Sequence, residues 1–145
     1  GGQVYVTSDK WGPWKGAPLF MSYGKCLLYG VLMDQVDGEV QASMVPFNLK
    51  FASGVMRGRF NPKDGQLYVC GLKGWQNSAT RDGGFFRVRY TGKPVHMPVK
   101  AHVAKNGIRL TFSSPLDTAS AADASSRPVC GRFMMALPAS RPSLM

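Results

Sequence analysis

The chain of 145 residues has the length of about one domain, which excludes a TIM barrel, a complete six-bladed propeller and most two-domain enzymes. It carries 18 Lys and Arg residues against 8 Asp and Glu, a net charge of +10, while 44% of its residues are hydrophobic. The chain is therefore basic but rich enough in apolar residues to form a core. Its 17 Gly and 10 Pro disfavour helix interiors, and its aromatic and β-branched residues predict an all-β fold.

Turn residues at regular intervals separate runs with the composition of strands, a pattern typical of an antiparallel meander of hairpins. The turn signals are Asp37-Gly38, Asp64-Gly65, Asp82-Gly83, Gly92 and Asn106-Gly107. The predicted strands are residues 27–36, 39–47, 55–60, 66–72 and 85–90, and the two halves of the hairpin 99–112. In the strand 85–90, alternation places Phe85, Arg87 and Arg89 on one face, which is basic.

The domain organisation follows from composition. Two prolines, Pro94 and Pro98, place a boundary near residues 92–98, before the hairpin that Asn106-Gly107 closes with a type I′ turn. After residue 117 the chain turns to small and polar residues, followed by arginine and proline. The predicted segments are a propeller-like β meander at 1–92, a short final hairpin at 93–117 and a flexible, loosely ordered C-terminal tail at 118–145.

Several motifs carry a family resemblance. They are Trp11-Gly12-Pro13, Ser22-Tyr23-Gly24-Lys25, residues 53–69 with Phe60-Asn61-Pro62-Lys63-Asp64-Gly65 at their centre, and Arg87-Val88-Arg89-Tyr90-Thr91-Gly92. Together they resemble the late propeller region of secreted proteins similar to glucose/sorbosone dehydrogenases. Residues 105–117 resemble the opening of an immunoglobulin-like module. The resemblance covers roughly residues 3–117, and the tail from about residue 124 does not continue the family pattern, which implies a truncated or independently read gene. In size and type the chain also resembles short, metagenome-derived acyl-homoserine lactone hydrolases.

The resemblance implies a function and a cofactor. Propellers of this kind and propeller lactonases often hold calcium through Asp and Asn side chains and act on small oxygenated rings. A quinone cofactor needs a complete propeller, so no quinone site is transferred to this chain. We therefore expect a hydrolase of small lactones such as N-acyl-homoserine lactones, a quorum-quenching activity assisted by calcium. The alternatives are a non-catalytic carbohydrate-binding β module and a fragment of a sugar-dehydrogenase-like propeller.

Absent motifs narrow the chemistry. There is no GxSxG elbow, no HExxH and no HxHxDH, which disfavours serine and zinc mechanisms. There is also no P-loop or GxGxxG pattern and no CxxCH, so neither a nucleotide cofactor nor haem is expected. The two histidines, His96 and His102, are then the candidate general bases, because histidine titrates near neutral pH. The simpler interpretation is that both are exposed edge-strand residues. His102 is the stronger candidate because it lies in the better-defined strand.

Oxygen-bearing turn residues are the candidate calcium ligands, because calcium requires six to eight hard oxygen donors. They are Asp34, Asp37, Glu39, Asn61 and Asp64. The acidic turn 34–39 holds three of only 8 carboxylates in a basic chain, which makes it the place where a cation is most readily retained. The alternative is ordinary turn chemistry, in which Asp caps the turn and Gly takes a positive φ.

Arginine and aromatic residues are the sequence features that bear on binding of nucleic acid or carbohydrate. The arginines Arg57, Arg59, Arg87 and Arg89, beside Phe60, Phe86 and Tyr90, suit phosphates and bases, but no nucleic-acid-binding signature accompanies them, so nucleic acid is not expected. Trp11, Trp14 and Trp75 are candidates to stack on sugar rings or to fill the core. Unpaired strand edges predict a homo-oligomer.

The cysteines and the apolar segments bear on where in or outside the cell the protein functions. The sequence leaves a Cys26–Cys70 disulfide open but favours buried thiols, with Cys130 as the third cysteine. The longest apolar stretch, 26–33, is far below the roughly 20 residues of a membrane helix, so no membrane partner is expected. Residues 1–15 lack the pattern of a signal peptide, although the family that the chain resembles is secreted or periplasmic.

Overall fold

The computed structural model describes residues 1–105, 107–117 and, for the backbone, Arg132–Met135. The described residues form an antiparallel all-β meander, which confirms the predicted fold class. Their helical content is the six-residue 3₁₀ segment Asp9–Trp14. None of the described segments forms a helix long and apolar enough to cross a membrane.

The chain divides into two compact units. The first comprises Gly1–Met33 and Ala42–Pro94, and the second comprises Asp34–Gln41 and Val95–Met145. The described residues contain ten strands: β1 Gly2–Tyr5, β2 Pro18–Ser22, β3 Leu27–Val36, β4 Glu39–Lys50, β5 Arg57–Phe60, β6 Leu67–Leu72, β7 Gly83–Val88, β8 Pro98–Ala104, β9 Gly107–Phe112 and β10 Arg132–Met135.

The first unit contains two antiparallel sheets, one with the order β1-β2-β3-β4 and one with the order β5-β6-β7. Its core is drawn from alternate positions of these strands. The fully buried side chains include Leu19, Met21 and Leu28 of the first sheet and Leu67 and Val69 of the second. Burial of each such side chain contributes about 1.5–3 kcal/mol, which fixes the register, since a slip of one residue would expose the whole set.

Trp14 completes this core. Its side chain is 2% exposed and lies against β3 at Gly30, where a Cβ atom would come within 2.1 Å of the indole ring. Its ring centroid is 4.9 Å from that of Phe47 on β4. A residue larger than glycine at position 30 would therefore displace the indole, which explains the glycine inside an otherwise apolar strand.

The second unit contains the sheet β10-β9-β8. It also includes the tip of the β3–β4 hairpin, Asp34–Gln41. The tip turns at Asp37 and Gly38, whose φ angles are 51° and 87°. Two successive positive φ angles define a type I′ turn, the geometry that suits a two-residue hairpin loop. Strands β8 and β9 pair from Pro98 opposite Phe112 to Ala104 opposite Gly107, with an irregularity between Pro98 and Lys100.

Four predictions about local structure require correction or addition. Asp82-Gly83 is not a left-handed glycine turn, because Gly83 begins β7. Asn106-Gly107 is not the two-residue loop of a type I′ turn, because Gly107 begins β9 and lies opposite Ala104. The thiol of Cys70 is exposed on β6 rather than buried, while Cys26 is buried in a turn, and both are free, so the described cysteines form no disulfide. Within the tail predicted to be loosely ordered, Arg132–Met135 pairs with β9; the rest of that prediction, together with Asn106 and Cys130, lies outside the described residues.

Candidate functional site

The candidate site of the second unit is built on His102 of β8. Its neighbours Ala101 and Val103 are half-buried, so alternation along the strand places the imidazole on the exposed side, with 49% of its side-chain surface exposed. The His102 Nδ1 atom lies 3.0 Å from Oδ1 of Asp34, which is separated from it by 68 residues of chain. The structure therefore pairs a predicted general base with a carboxylate that was predicted to bind metal.

Asp34 is held by two hydrogen bonds at once. Its Oδ1 faces the imidazole, and its Oδ2 accepts a hydrogen bond of 3.0 Å from the backbone N–H of Val103. These contacts with His102 and then with Val103 hold the pKa of the Asp34 carboxyl below its ordinary value. The group is thus a carboxylate that is fixed in place, with 17% of its side-chain surface exposed.

The carboxylate settles the tautomer of the neutral imidazole. An ionised Asp34 only accepts hydrogen bonds, so the atom that faces it, Nδ1 of His102, must carry the proton. The other ring nitrogen, Nε2, then holds a lone pair and has no hydrogen-bond partner among the described residues. This is the arrangement in which an imidazole takes a proton from water.

A cationic residue lies opposite His102 in the sheet. In the register of the β8–β9 hairpin, His102 is directly opposite Arg109, which is exposed. Side chains opposite each other in an antiparallel pair project from the same face with Cβ atoms about 5 Å apart. Arg109 can thus stabilise negative charge that develops near Nε2. The prediction of functional residues missed Arg109, because a turn at Asn106-Gly107 would have placed Arg109 opposite Ala104. In the observed register Gly107 lies opposite Ala104, and this brings Arg109 opposite His102.

His96 occupies different surroundings. Its Nδ1 atom lies 2.7 Å from the hydroxyl oxygen of Ser114, and its side chain is exposed. A hydroxyl both donates and accepts, so it does not fix the tautomer of the ring as a carboxylate does. His96 therefore lacks the defined free lone pair that distinguishes His102.

The predicted calcium ligands are used largely as turn-forming groups. Asp64 accepts hydrogen bonds from the Gln66 N–H at 2.9 Å and from the Tyr68 hydroxyl at 2.7 Å. The side-chain oxygen of Asn61 accepts a hydrogen bond of 3.0 Å from the Lys63 N–H. These contacts are the Asx-type bonds expected of Asp and Asn in tight turns.

The five predicted ligands also lie in different units. Asp34, Asp37 and Glu39 belong to the second unit, and Asn61 and Asp64 to the first. Both oxygens of Asp34 are occupied, while Asp37 and Glu39 are exposed. Within the ranges that the structure describes, no three His, Cys, Asp or Glu side chains are grouped as a metal site would require. The donor set as arranged does not fit calcium, and calcium dependence stays a prediction.

The tryptophans divide between core and surface. Trp11 and Trp14 are 3% and 2% exposed, so neither offers a ring face to a sugar. Trp75 is 82% exposed and remains the candidate platform for carbohydrate.

Comparison of the chain with protein-family models, with curated proteins and with solved structures finds no match. The resemblance to glucose/sorbosone-dehydrogenase-like propellers and to short lactone hydrolases therefore stays a prediction, and function has to be argued from the geometry of the chain.

Proposed function

We propose that the chain hydrolyses small lactones such as N-acyl-homoserine lactones, with His102 as the general base. The observation that supports this proposal is the 3.0 Å contact between His102 Nδ1 and Asp34 Oδ1, which leaves Nε2 as a proton acceptor. A lactone is a suitable substrate class because its ring ester can be opened by water in one addition and one elimination. No serine nucleophile is required.

The reaction requires water as the nucleophile and His102 to accept and then return one proton. Nε2 of His102 removes a proton from water as the water oxygen bonds to the lactone carbonyl carbon, and negative charge develops on the carbonyl oxygen. Arg109 stabilises that charge electrostatically. The tetrahedral intermediate then collapses, the ring C–O bond breaks, and the imidazolium returns its proton to the departing alkoxide. The product is the open-chain hydroxy acid, and the imidazole is regenerated.

Asp34 acts as a positioning residue. It holds His102 in the reactive tautomer and stabilises the imidazolium that forms, as the carboxylate of a hydrolase triad does. The described carboxylates do not form a calcium site, so the mechanism assigns water activation to His102. Calcium assistance remains a separate prediction with its own test.

The test is ring opening measured by mass spectrometry, with N-hexanoyl-homoserine lactone as substrate and the uncatalysed rate subtracted. His102→Gln should lower the rate by about 100-fold or more, the usual contribution of a general base. Asp34→Asn should lower the rate and change the pH–rate profile, because the tautomer is no longer fixed. The matched control, His96→Gln, should retain most of the activity.

Two results would overturn the proposal. Full activity of His102→Gln would remove His102 from the mechanism, and loss of activity in His96→Gln alone would move the site to His96 and Ser114. Retention of polysaccharide by the chain in a pull-down, with no lactone turnover, would favour the carbohydrate-binding alternative; Trp75→Ala should then abolish the retention.

A further inference from the structure

The outer face of the sheet β5-β6-β7 concentrates arginines and aromatic rings. The register places Arg57, Cys70 and Phe85 in one row across the three strands and Arg59, Tyr68 and Arg87 in the next. The opposite face is buried through side chains such as Leu67, Val69 and Val88. The two rows therefore share the solvent side of a sheet whose other side is anchored in the core.

An aromatic platform lies at the centre of this face. The rings of Tyr68 and Phe85 are stacked, with centroids 5.6 Å apart and an interplanar angle of 25°. Phe85 is 72% exposed, an unusual state for a large apolar ring. The Tyr68 hydroxyl donates a hydrogen bond of 2.7 Å to Asp64, which fixes the platform in position.

The arginines around the platform form no close ion pair among the described residues, although the Asp64 carboxylate is near enough to Arg87 for their charges to interact. Guanidinium groups of Arg57 and Arg59 donate to the backbone carbonyls of Met56 and Gly58 at 3.1 and 3.0 Å. Neither they nor Arg87 forms an ion pair within the part of the chain that the structure describes. Their charges are part of the chain's net charge of +10, so the face attracts polyanions.

The spacing suits an extended polyanion. Arg57 and Arg59 are two residues apart on one strand, about 7 Å, and Arg59 and Arg87 are two strands apart, roughly 10 Å. An open groove of about 530 Å³ runs beside them, lined by Arg57, Arg59, Phe60, Tyr68, Cys70 and Phe85 among others. Charged and aromatic groups therefore line the same depression.

We propose that this face binds single-stranded nucleic acid, with Arg57, Arg59 and Arg87 on the phosphates and bases stacked on Phe85 and Tyr68. A cationic groove combined with exposed rings is the general solution for single strands, because every base offers a π face. A duplex hides those faces in its stack. An acidic polysaccharide shares the charge but lacks planar bases, and it is the competing outcome in the test. The sequence paired the arginines with Phe60, Phe86 and Tyr90. Phe60 does line the groove beside them, whereas the register places Tyr68 and Phe85 in their rows.

The experiment compares two probes of equal charge by fluorescence anisotropy with the full chain. One is a labelled oligothymidylate of about 12 nucleotides, within the range that one such site covers, and the other is an abasic oligomer of the same length. Phe85→Ala should weaken binding of oligothymidylate by roughly tenfold, the effect of losing one stacked base, and leave the abasic oligomer unchanged. Circular dichroism verifies that the variant folds.

The contribution of the arginines is tested separately, by the salt dependence of binding. Arg59→Gln combined with Arg87→Gln should weaken both probes and lower the slope of log Kd against log salt by about one for each phosphate that no longer meets a guanidinium group. Lys25→Gln combined with Lys50→Gln, an equal loss of two charges in the other sheet and its β2–β3 turn, is the matched control and should leave the slope nearly unchanged. Equal affinity for the two probes, an unaffected Phe85→Ala variant, or stronger binding of polygalacturonate than of oligothymidylate would overturn the proposal.

Discussion

Trp14 lies so close to Gly30 that a methyl group on Gly30 would overlap the indole ring, with its Cβ 2.1 Å from the nearest ring carbon. The contact joins the 3₁₀ segment to the middle of β3 and buries Trp14 almost completely. The core of the first unit thus depends on a position without a side chain.

Gly30→Ala is predicted to destabilise the protein by about 1–3 kcal/mol, because the indole must move out of a packed site. Urea unfolding followed by intrinsic fluorescence measures the change. Gly83→Ala is the matched control, since a Cβ there would meet only one atom at the ordinary distance of 3.5 Å. Equal stability of the Gly30→Ala variant and the wild type would contradict the packing described here.

The hydrogen bonds of Asp64 lead us to expect that the folded protein is less stable in acid. Hydrogen bonds from the Gln66 N–H and then the Tyr68 hydroxyl lower the pKa of this carboxyl below its ordinary value. Because the folded pKa lies below the unfolded one, the contribution is complete above about pH 4 and is lost as pH falls through the lowered pKa. The free energy of unfolding should therefore fall as the pH drops below about 4, and should fall less in Asp64→Asn.

Tyr68→Phe provides an independent check on the same carboxyl. It removes one of the two hydrogen bonds, so the pKa of Asp64 should rise toward its ordinary value in a carboxyl NMR titration. An unchanged titration would show that the hydroxyl of Tyr68 does not bond to Asp64 in solution.

The acidic hairpin tip provides a test of calcium assistance. Asp37→Ala combined with Glu39→Ala should abolish any chelator-sensitive part of lactone hydrolysis while the far-UV circular dichroism spectrum stays unchanged. Asp37 has a φ of 51°, where alanine is strained, so Asp37→Asn with Glu39→Gln is the matched variant that keeps the turn. Chelator-sensitive activity that survives in both variants would place the metal elsewhere, and unfolding of only the alanine variant would identify Asp37 as a turn former.

The edge strand β4 predicts self-association. Among the strands that the structure describes, it terminates the sheet β1-β2-β3-β4, and its Met44 and Leu49 are 57% and 39% exposed. An apolar, unpaired edge recruits another strand, and lysine at an edge opposes this. Met44→Lys should therefore shift light scattering toward the monomer, whereas Met33→Lys on the neighbouring interior strand should not. A wild-type protein that is strictly monomeric at tens of micromolar would contradict the prediction.

Local sequence signals predicted the hairpins well and the site poorly. Asp37-Gly38 specifies its turn within four residues, and the structure places β3 at the predicted residues 27–36. β1, β2 and the 3₁₀ segment were missed because their short runs between glycines and prolines have no clear period.

The contacts that matter most for function are long-range. Asp34 meets His102 across 68 residues of chain, and Tyr68 meets Phe85 only through the register of β6 and β7. No local pattern encodes either contact, because each depends on which strands become neighbours. Alternation did predict the basic face of β7, since that requires only knowledge of the strand itself.

The hydrogen bond from the Val103 N–H to Asp34 also affects how the second unit meets other chains. Among the described strands, β8 is at the edge of its sheet. The outward N–H groups of an edge strand can form hydrogen bonds with a strand of another chain. Here a carboxylate occupies one of those donors and adds a negative charge beside it. An incoming strand would have to displace Asp34 before it could continue the ladder. Asp34 thus blocks one point at which a strand could be added to this sheet. We therefore expect Asp34→Asn, besides its predicted effect on hydrolysis, to make such an addition easier.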